Sequence, residues 1–388
     1  MRITSWGLLL TAIACASPGT PPGGPVDTQA PQIVRIAPDS GKTNVKPREV
    51  IFQFDEVVSE RPSGSPTLGG LFLISPRNGE AQADWHRSEI AVRPSRGFKP
   101  NTTYTINLLP GLSDLRGNSR NTGATTVFST GPTIATGRIT GTLFNWAEAR
   151  VVARGLIEAR PLNDTATVYV TATDSVGDFN LKNVPPAQYR VRGFSDDNNN
   201  RGMDPREPFD TMIVNLVDSS KFELLAFVHD SVGTRLANVS VRDSVTLELL
   251  FDNPLSVAAQ ITAAQIRIRG SDSTAIPIAS VAAPAADTAI TRPLTQNPTG
   301  TTAVTETSLT TRKPSRSPPL KSVIVRLSLP LRPKVTYKVR VTDVQNLIGV
   351  AKTSEREVTL PAPVAPPAAA KPPTGFIPAV PQPTPVKK

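Results

Sequence analysis

Cysteine occurs once in the 388 residues, at Cys15. No disulfide can form within the chain, and no thiolate site exists beyond that position. Histidine occurs twice, as His86 and His229, with neither the H-x-x-x-H nor the H-E-x-x-H spacing that places two imidazoles on one metal. The glycines form no G-x-S-x-G elbow and no phosphate-cradling G-x-x-x-x-G-K loop. The adjacent carboxylates Asp55 and Glu56 are poorly placed as an acid/base couple, because neighbours on a strand point to opposite faces. Together these absences leave no signature of catalysis, and the chain reads as a non-enzyme. Aromatic residues make up only 5%, so its cores must be built mainly from Val, Ile and Leu. Beyond Cys15 no apolar run approaches the roughly 18 residues of a membrane helix.

What is present is proline, 39 residues of it, and short apolar runs broken by turn residues. That pattern predicts an all-β chain, and the length suits several domains. The formal charge is +10. One reading is attraction to a polyanion such as lipopolysaccharide or nucleic acid. The other is a solvated surface with basic linkers, which fits Arg312, Lys313, Arg316, Lys321, Lys371, Lys387 and Lys388 in segments of low complexity. No aromatic-interleaved basic strand is visible, so no nucleic-acid partner is expected.

The N-terminus has the form of a secretory signal. Met1-Arg2 is followed by an apolar run from Ile3 to Ala14, too short to span a membrane. Its end, Ala12-Ile13-Ala14-Cys15, resembles a bacterial lipobox, with Ala12 where that family usually has Leu. The resemblance implies cleavage before Cys15, acylation of its amine and thiol with palmitate-type chains, and a membrane partner gripped by lipid. More than one acyl chain holds firmly where a single one does not. Ala16 and Ser17 follow instead of the aspartate of inner-membrane retention, so by that resemblance the expected location is the outer membrane, facing the periplasm or the surface. An ordinary signal peptide cut near Ala14 is the other reading.

Residues 16–28 are a Pro/Gly linker. Residues 29–131 read as a β-sandwich opened by Val34 and Ile36. Val50–Phe54 alternates, and further strands are expected at Leu71–Ser75, Ala81–Arg87, Glu89–Arg93, Thr103–Leu109 and Thr125–Thr130. Pro100-Asn101-Thr102-Thr103-Tyr104 reads as a tyrosine corner. With Pro38-x-x-Gly41, Phe52-x-Phe54-Asp55-Glu56-x-Val58, Trp85 and Asp114-x-x-Gly117-Asn118, the segment resembles the bacterial Ig-like domain of surface-layer proteins and lipoproteins. In that family the domain is mostly a spacer or presenting scaffold.

Residues 134–228 read as a different sandwich. Phe179-x-Leu181-x-x-Val184-Pro185-x-x-x-Tyr189-x-Val191 resembles the carboxypeptidase-regulatory-like, transthyretin-like modules, which carry no peptidase activity. Residues 229–361 look like a diverged copy of the first sandwich. Phe251-Asp252-Asn253-Pro254-Leu255 echoes Phe54 to Val58, Leu331 to Tyr337 echoes Phe98 to Tyr104, and Asp343 echoes Asp114. The copy is lengthened by residues 282–321, rich in Ala, Thr, Pro and Ser, which read as a disordered loop. Residues 362–388 read as a disordered, Pro-rich extended tail.

The chemically richest loop is Asp196 to Glu207. Asp196, Asn198, Asn200, Asp204 and Glu207 place side-chain oxygens at loop positions one, three, five, nine and twelve, as a Ca²⁺ site requires. Gly202 comes one place later than in an EF-hand, and Arg201 and Arg206 offset the carboxylates. The alternative is an Asn/Asp-rich turn held by side-chain-to-backbone hydrogen bonds. Apart from that calcium ion no cofactor is expected. The function that results is an envelope lipoprotein acting as a structural scaffold, with an envelope protein as its expected partner. Its alternative is an adhesin or a module binding glycan or protein. A glycan binder would show exposed aromatics, whereas beyond Trp6 in the leader only Trp85 and Trp146 remain.

Overall fold

The computed structural model describes residues 26–62, 65–164, 166–284 and 312–360. The leader with Cys15, most of the 16–28 linker, the middle of the 282–321 insertion and the 362–388 tail lie outside the described residues. Apart from two short 3-10 helices, Leu68–Leu71 and Ala263–Gln265, the regular structure described is strand, arranged as three successive two-sheet sandwiches, in keeping with an all-β fold.

In the first sandwich the strands are β1 (Ile33–Ala37), β2 (Val50–Phe54), β3 (Phe72–Ser75), β4 (Ala81–Trp85), β5 (Glu89–Pro94), β6 (Thr103–Leu108) and β7 (Ala124–Ser129). One sheet runs β1-β2-β5-β4 and the other β3-β6-β7. Alternation along β2 buries Val50, Phe52 and Phe54 against Ile90, Val92, Tyr104, Ile106 and Phe128. The opening strand departs from the expected pattern. A bulge between Ile33 and Arg35 turns Ile33 and Ile36 toward the core, while Val34 stays 64% exposed. An extra residue on one strand shifts every later side chain to the other face, which simple alternation cannot anticipate.

The second sandwich comprises β8 (Gly137–Asn145), β9 (Arg150–Val151), β10 (Leu156–Pro161), β11 (Tyr169–Ala172), β12 (Asp178–Val184), β13 (Ala187–Phe194), β14 (Phe209–Leu216) and β15 (Ser219–Ala226). Its sheets are β11-β10-β13-β14 and β12-β8-β15, with β15 parallel to β8. The inner faces bury Ile139, Leu143, Ile157, Phe179, Leu181, Tyr189, Val191 and Leu224.

The third sandwich contains β16 (Leu236–Asp243), β17 (Thr246–Phe251), β18 (Ile266–Gly270), β19 (Ala275–Ile276), β20 (Ile278–Ala282), β21 (Ser322–Leu327), β22 (Thr336–Gln345) and β23 (Ala351–Thr359). Its order, β16-β17-β21-β20 over β19-β18-β22-β23, repeats that of the first sandwich with β19 added. Details repeat as well. The Tyr104 hydroxyl accepts the Lys99 N–H at 2.7 Å, and the Tyr337 hydroxyl accepts the Arg332 N–H at 2.8 Å, each five residues upstream. Asp55 and Asp252 accept the N–H of Gln32 and Arg235 at 2.8 Å. One expected correspondence is corrected. Asn346, not Asp343, stands where Asp114 does, since Val58 bridges to Asp114 and Leu255 to Asn346. Asp343 instead lies in the β22 bulge between Val341 and Val344 at φ +52°.

The 282–321 insertion joins β20 to β21, where the first sandwich has the short β4–β5 connection. Its end does not follow the disordered reading. Lys321 and Leu320 carbonyls accept the N–H groups of Phe251 and Leu255 at 2.8 Å.

Candidate functional site: two acidic loops and the junction between the first two sandwiches

Strand β10 is buried along both faces. Ile157 and Ala159 face the core of the second sandwich. Leu156 and Glu158, on the opposite face, are buried too. What covers them is the first sandwich. Leu73 of β3 packs with Leu156 and Phe194 in a small apolar cluster that bridges the two domains. Edge strands β3 and β11 meet: Ser75 Oγ accepts the Val170 N–H at 3.0 Å, and the Arg77 N–H donates to the Val168 carbonyl at 2.7 Å. Exposed edges are thereby capped. Glu158, only 4% exposed, receives Arg77 from the first sandwich at 2.9 Å and Arg160 from its own strand at 3.0 Å. A carboxylate so deeply placed requires such partners.

The Asp/Asn loop connects β13 to β14 and leans on this same junction. Asp196 accepts the N–H groups of Asn200 (3.0 Å) and Arg201 (3.2 Å). Asn198 and Asn200 both donate their side-chain amides to Asp204, at 2.6 and 2.9 Å. Glu207 is buried and clasps the loop, accepting the N–H of Asp197 at 3.0 Å and of Asp204 at 2.9 Å. All five residues singled out in the sequence are thus brought together, in the geometry of a hydrogen-bonded turn. The carboxylates of Asp196, Asp204 and Glu207 do not converge within 4.8 Å of one another. The loop's side-chain product is Arg201. With the backbone at φ +62°, its guanidinium donates to the Gly70 carbonyl of the first sandwich. Burial holds that guanidinium below its usual pKa. Arg201, a departure from the cation-site pattern, has its partner 131 positions away, where no local signal points.

Among the described residues, the carboxylates that do converge are Asp27, Glu56 and Asp114, within 4.8 Å. They come from three segments, so no local pattern in the sequence brings Glu56 to Asp27 and Asp114. Asp114 is saturated by Asn118 and by the N–H groups of Arg116 and Asn118, at 2.7–2.9 Å. Burial would raise its pKa, yet these donors hold it below the usual carboxylate range. Glu56 gives way instead: burial, then Asp114, Asp27 and Asp55, push it up. The third sandwich resolves the same crowding with amides. Asn253 stands at the Glu56 place and donates to Asp230 at 3.0 Å, while Asn346 donates to the Asp230 and Val232 carbonyls.

A carboxyl whose pKa rises on folding is favoured in its neutral form, so its cost sets in as pH rises through that value and vanishes below the unfolded one. Glu56→Gln is therefore expected to raise the melting temperature of the first sandwich near neutral pH. The gain should disappear below about pH 4, as read by calorimetry across pH.

No curated protein matches the sequence. Among solved structures, the Bacillus anthracis TIE protein aligns at 12% identity over 87% of this chain and 57% of its own, with a TM-score of 0.18. A putative carbohydrate-binding protein from Bacteroides uniformis aligns at 11% identity over 58% of this chain and 100% of its own, with a TM-score of 0.19. An S-layer protein aligns at 12% identity over 86% of this chain and 41% of its own, with a TM-score of 0.20. The family model of the bacterial Ig-like domain matches residues 27–130, the span of the first sandwich.

Proposed function

We propose that the chain is a non-enzymatic, lipid-anchored spacer of the bacterial cell envelope, tethered at Cys15 to the outer membrane and carrying stiffly joined β-sandwiches away from it. The observation that supports this reading is the junction of the first two sandwiches. A module that merely tethers would be strung on flexible linkers. Here an ion pair on buried Glu158, paired edge strands and the Arg201 contact hold one sandwich against the next. Fixed junctions set a distance, which is what a spacer must do.

The two described tryptophans favour a scaffold over a glycan platform. Trp85 donates its indole N–H to the Val58 carbonyl at 2.9 Å, and Trp146 is 7% exposed. Neither offers a bare flat face of the kind sugars stack on. The Asp196–Glu207 loop serves the spacer by presenting Arg201, and a calcium ion bound there would stiffen the same contact.

The test is mass spectrometry of the mature N-terminal peptide together with fractionation of the wild-type chain and Cys15→Ser. The expected outcome is a diacylglyceryl-modified Cys15 in the membrane fraction, and a Cys15→Ser chain that becomes soluble or stays unprocessed. An unmodified Cys15 with unchanged fractionation removes the anchor and the reading with it.

A further inference from the structure

One face of the second sandwich is unexpectedly apolar. In β12-β8-β15, Gly141, Phe179 and Phe222 share a row that faces the core. The next row, Asp178, Thr142 and Glu223, points the other way because side chains alternate along a strand. That outer face should be solvated. Yet Phe144 and Leu225 on it, with Trp146 just beyond β8, form a buried cluster separate from the core. Leu347 of the third sandwich packs against this cluster.

The rest of the cover is the end of the 282–321 insertion. Arg312 reaches across to Asp178, with Nη1 2.6 Å from the carboxylate. The Ser315 N–H donates to Glu223 at 2.9 Å. The Ser317 carbonyl accepts the Trp146 indole N–H at 3.0 Å. Each contact reads a different feature of the segment: a cationic side chain, a backbone donor and a backbone acceptor. The segment bends at Ser315 and Arg316, and its five-residue reach, at most about 17 Å, covers the two strand spacings of about 4.8 Å each from β12 over β8 to β15. Pro314 lies between the first two contacts, and its fixed φ lowers the entropy cost of holding the segment in place. Burial alone would raise the Asp178 pKa. Hydrogen bonds from Thr142 and Arg312 outweigh it and hold the carboxyl below its usual range, so the acid end of the track is charged near neutral pH.

We propose that the outer face of β12-β8-β15 is a docking track for a cationic Ser/Pro segment, filled in cis by Arg312–Ser317, and that this strap fastens the third sandwich to the second. The proposal does not depend on the lipid anchor. It gives Arg312 a partner on the chain itself, where composition suggested only solvated charge.

The test is limited trypsin digestion of the full chain, following cleavage after Arg316 by mass. A segment held on a sheet face is a poor substrate, and cleavage follows the population in which it is released. An ion pair as exposed as this one, 45% and 42% at the two side chains, is worth about a threefold change in that population. Arg312→Asp and Asp178→Arg are each expected to speed cleavage after Arg316 about threefold. The combination, which reverses the pair, is expected to restore protection. Single variants that cleave at the wild-type rate overturn the proposal, and so does a pair no better protected than either single. If Asp178→Arg fails to fold by circular dichroism, Ser315→Pro carries the same expectation, because it deletes the N–H that Glu223 accepts and leaves the second sandwich untouched.

Discussion

Arg77→Met is expected to lower the stability of the joined first and second sandwiches by about 3 kcal/mol, read by chemical denaturation of the full chain. The substitution keeps most of the side-chain volume and removes the charge. It leaves Glu158, 4% exposed, with Arg160 alone. Breaking a buried ion pair from one side costs about 3–5 kcal/mol, because the remaining charge stays desolvated without full compensation. The lower end applies here, since Arg160 persists and the Arg77 side chain is itself 28% exposed. The companion experiment is the double variant Arg77→Met, Glu158→Met. Replacing both partners by apolar groups removes the stranded carboxylate, so the double variant should recover most of the loss. Two independent losses that simply add would show that the pair is not coupled. Because Arg77 and Glu158 belong to different sandwiches, a single denaturation transition should also split in two when only Arg77 is changed.

Gly141→Val is expected to abolish folding of the second sandwich while leaving the first and third able to fold. A Cβ on Gly141 would lie 1.9 Å from the Phe222 carbonyl oxygen and 2.7 Å from Phe179 Cζ. The first of these atoms is backbone in the neighbouring parallel strand and cannot swing aside. Gly141 sits in the middle of β8, paired on one side with Phe179 of β12 and on the other with Phe222 of β15. Those two rings meet at 5.9 Å between centroids across the space a side chain would fill. Overpacking of a core costs about 1–3 kcal/mol when side chains can adjust. Here the ladder itself must shift, and the cost exceeds what a domain of this size holds in reserve. Gly141→Ala should fail in the same way, which separates the steric cause from the larger volume of valine. The measurement is calorimetry, in which the joint transition of the first two sandwiches should give way to a smaller one from the first alone, with that of the third retained.

Much of the architecture was legible in the chain. Alternation is a local property, so Val50–Phe54 could be assigned to one face, and the strands at Glu89–Pro94 and Thr103–Leu108 fell within a residue of where turn residues placed them. The Tyr104 corner was legible because its bond closes over five residues. The repeat in residues 229–361 was legible because Phe-Asp and Pro-x-x-Tyr recur at matching points, and both the hydrogen bonds and the strand order repeat with them. Misplacements came where a single extra residue alters the register, as at Ile33–Arg35, and where Asp343 was matched to Asp114 in place of Asn346.

The sequence by itself determined the all-β class, the buried face of strands such as Val50–Phe54 and the tyrosine corner at Tyr104. Each depends on residues a few positions apart, whose periodicity follows from strand geometry. The tertiary structure alone decided the contacts between distant segments: Arg77 on Glu158, Arg201 on Gly70, Arg312 on Asp178, and Glu56 crowded by Asp27 and Asp114. These partners are tens to more than a hundred residues apart. Nothing in the local pattern of a charged residue says which distant strand will bury it. That is settled only when edge strands pair and one sheet covers another.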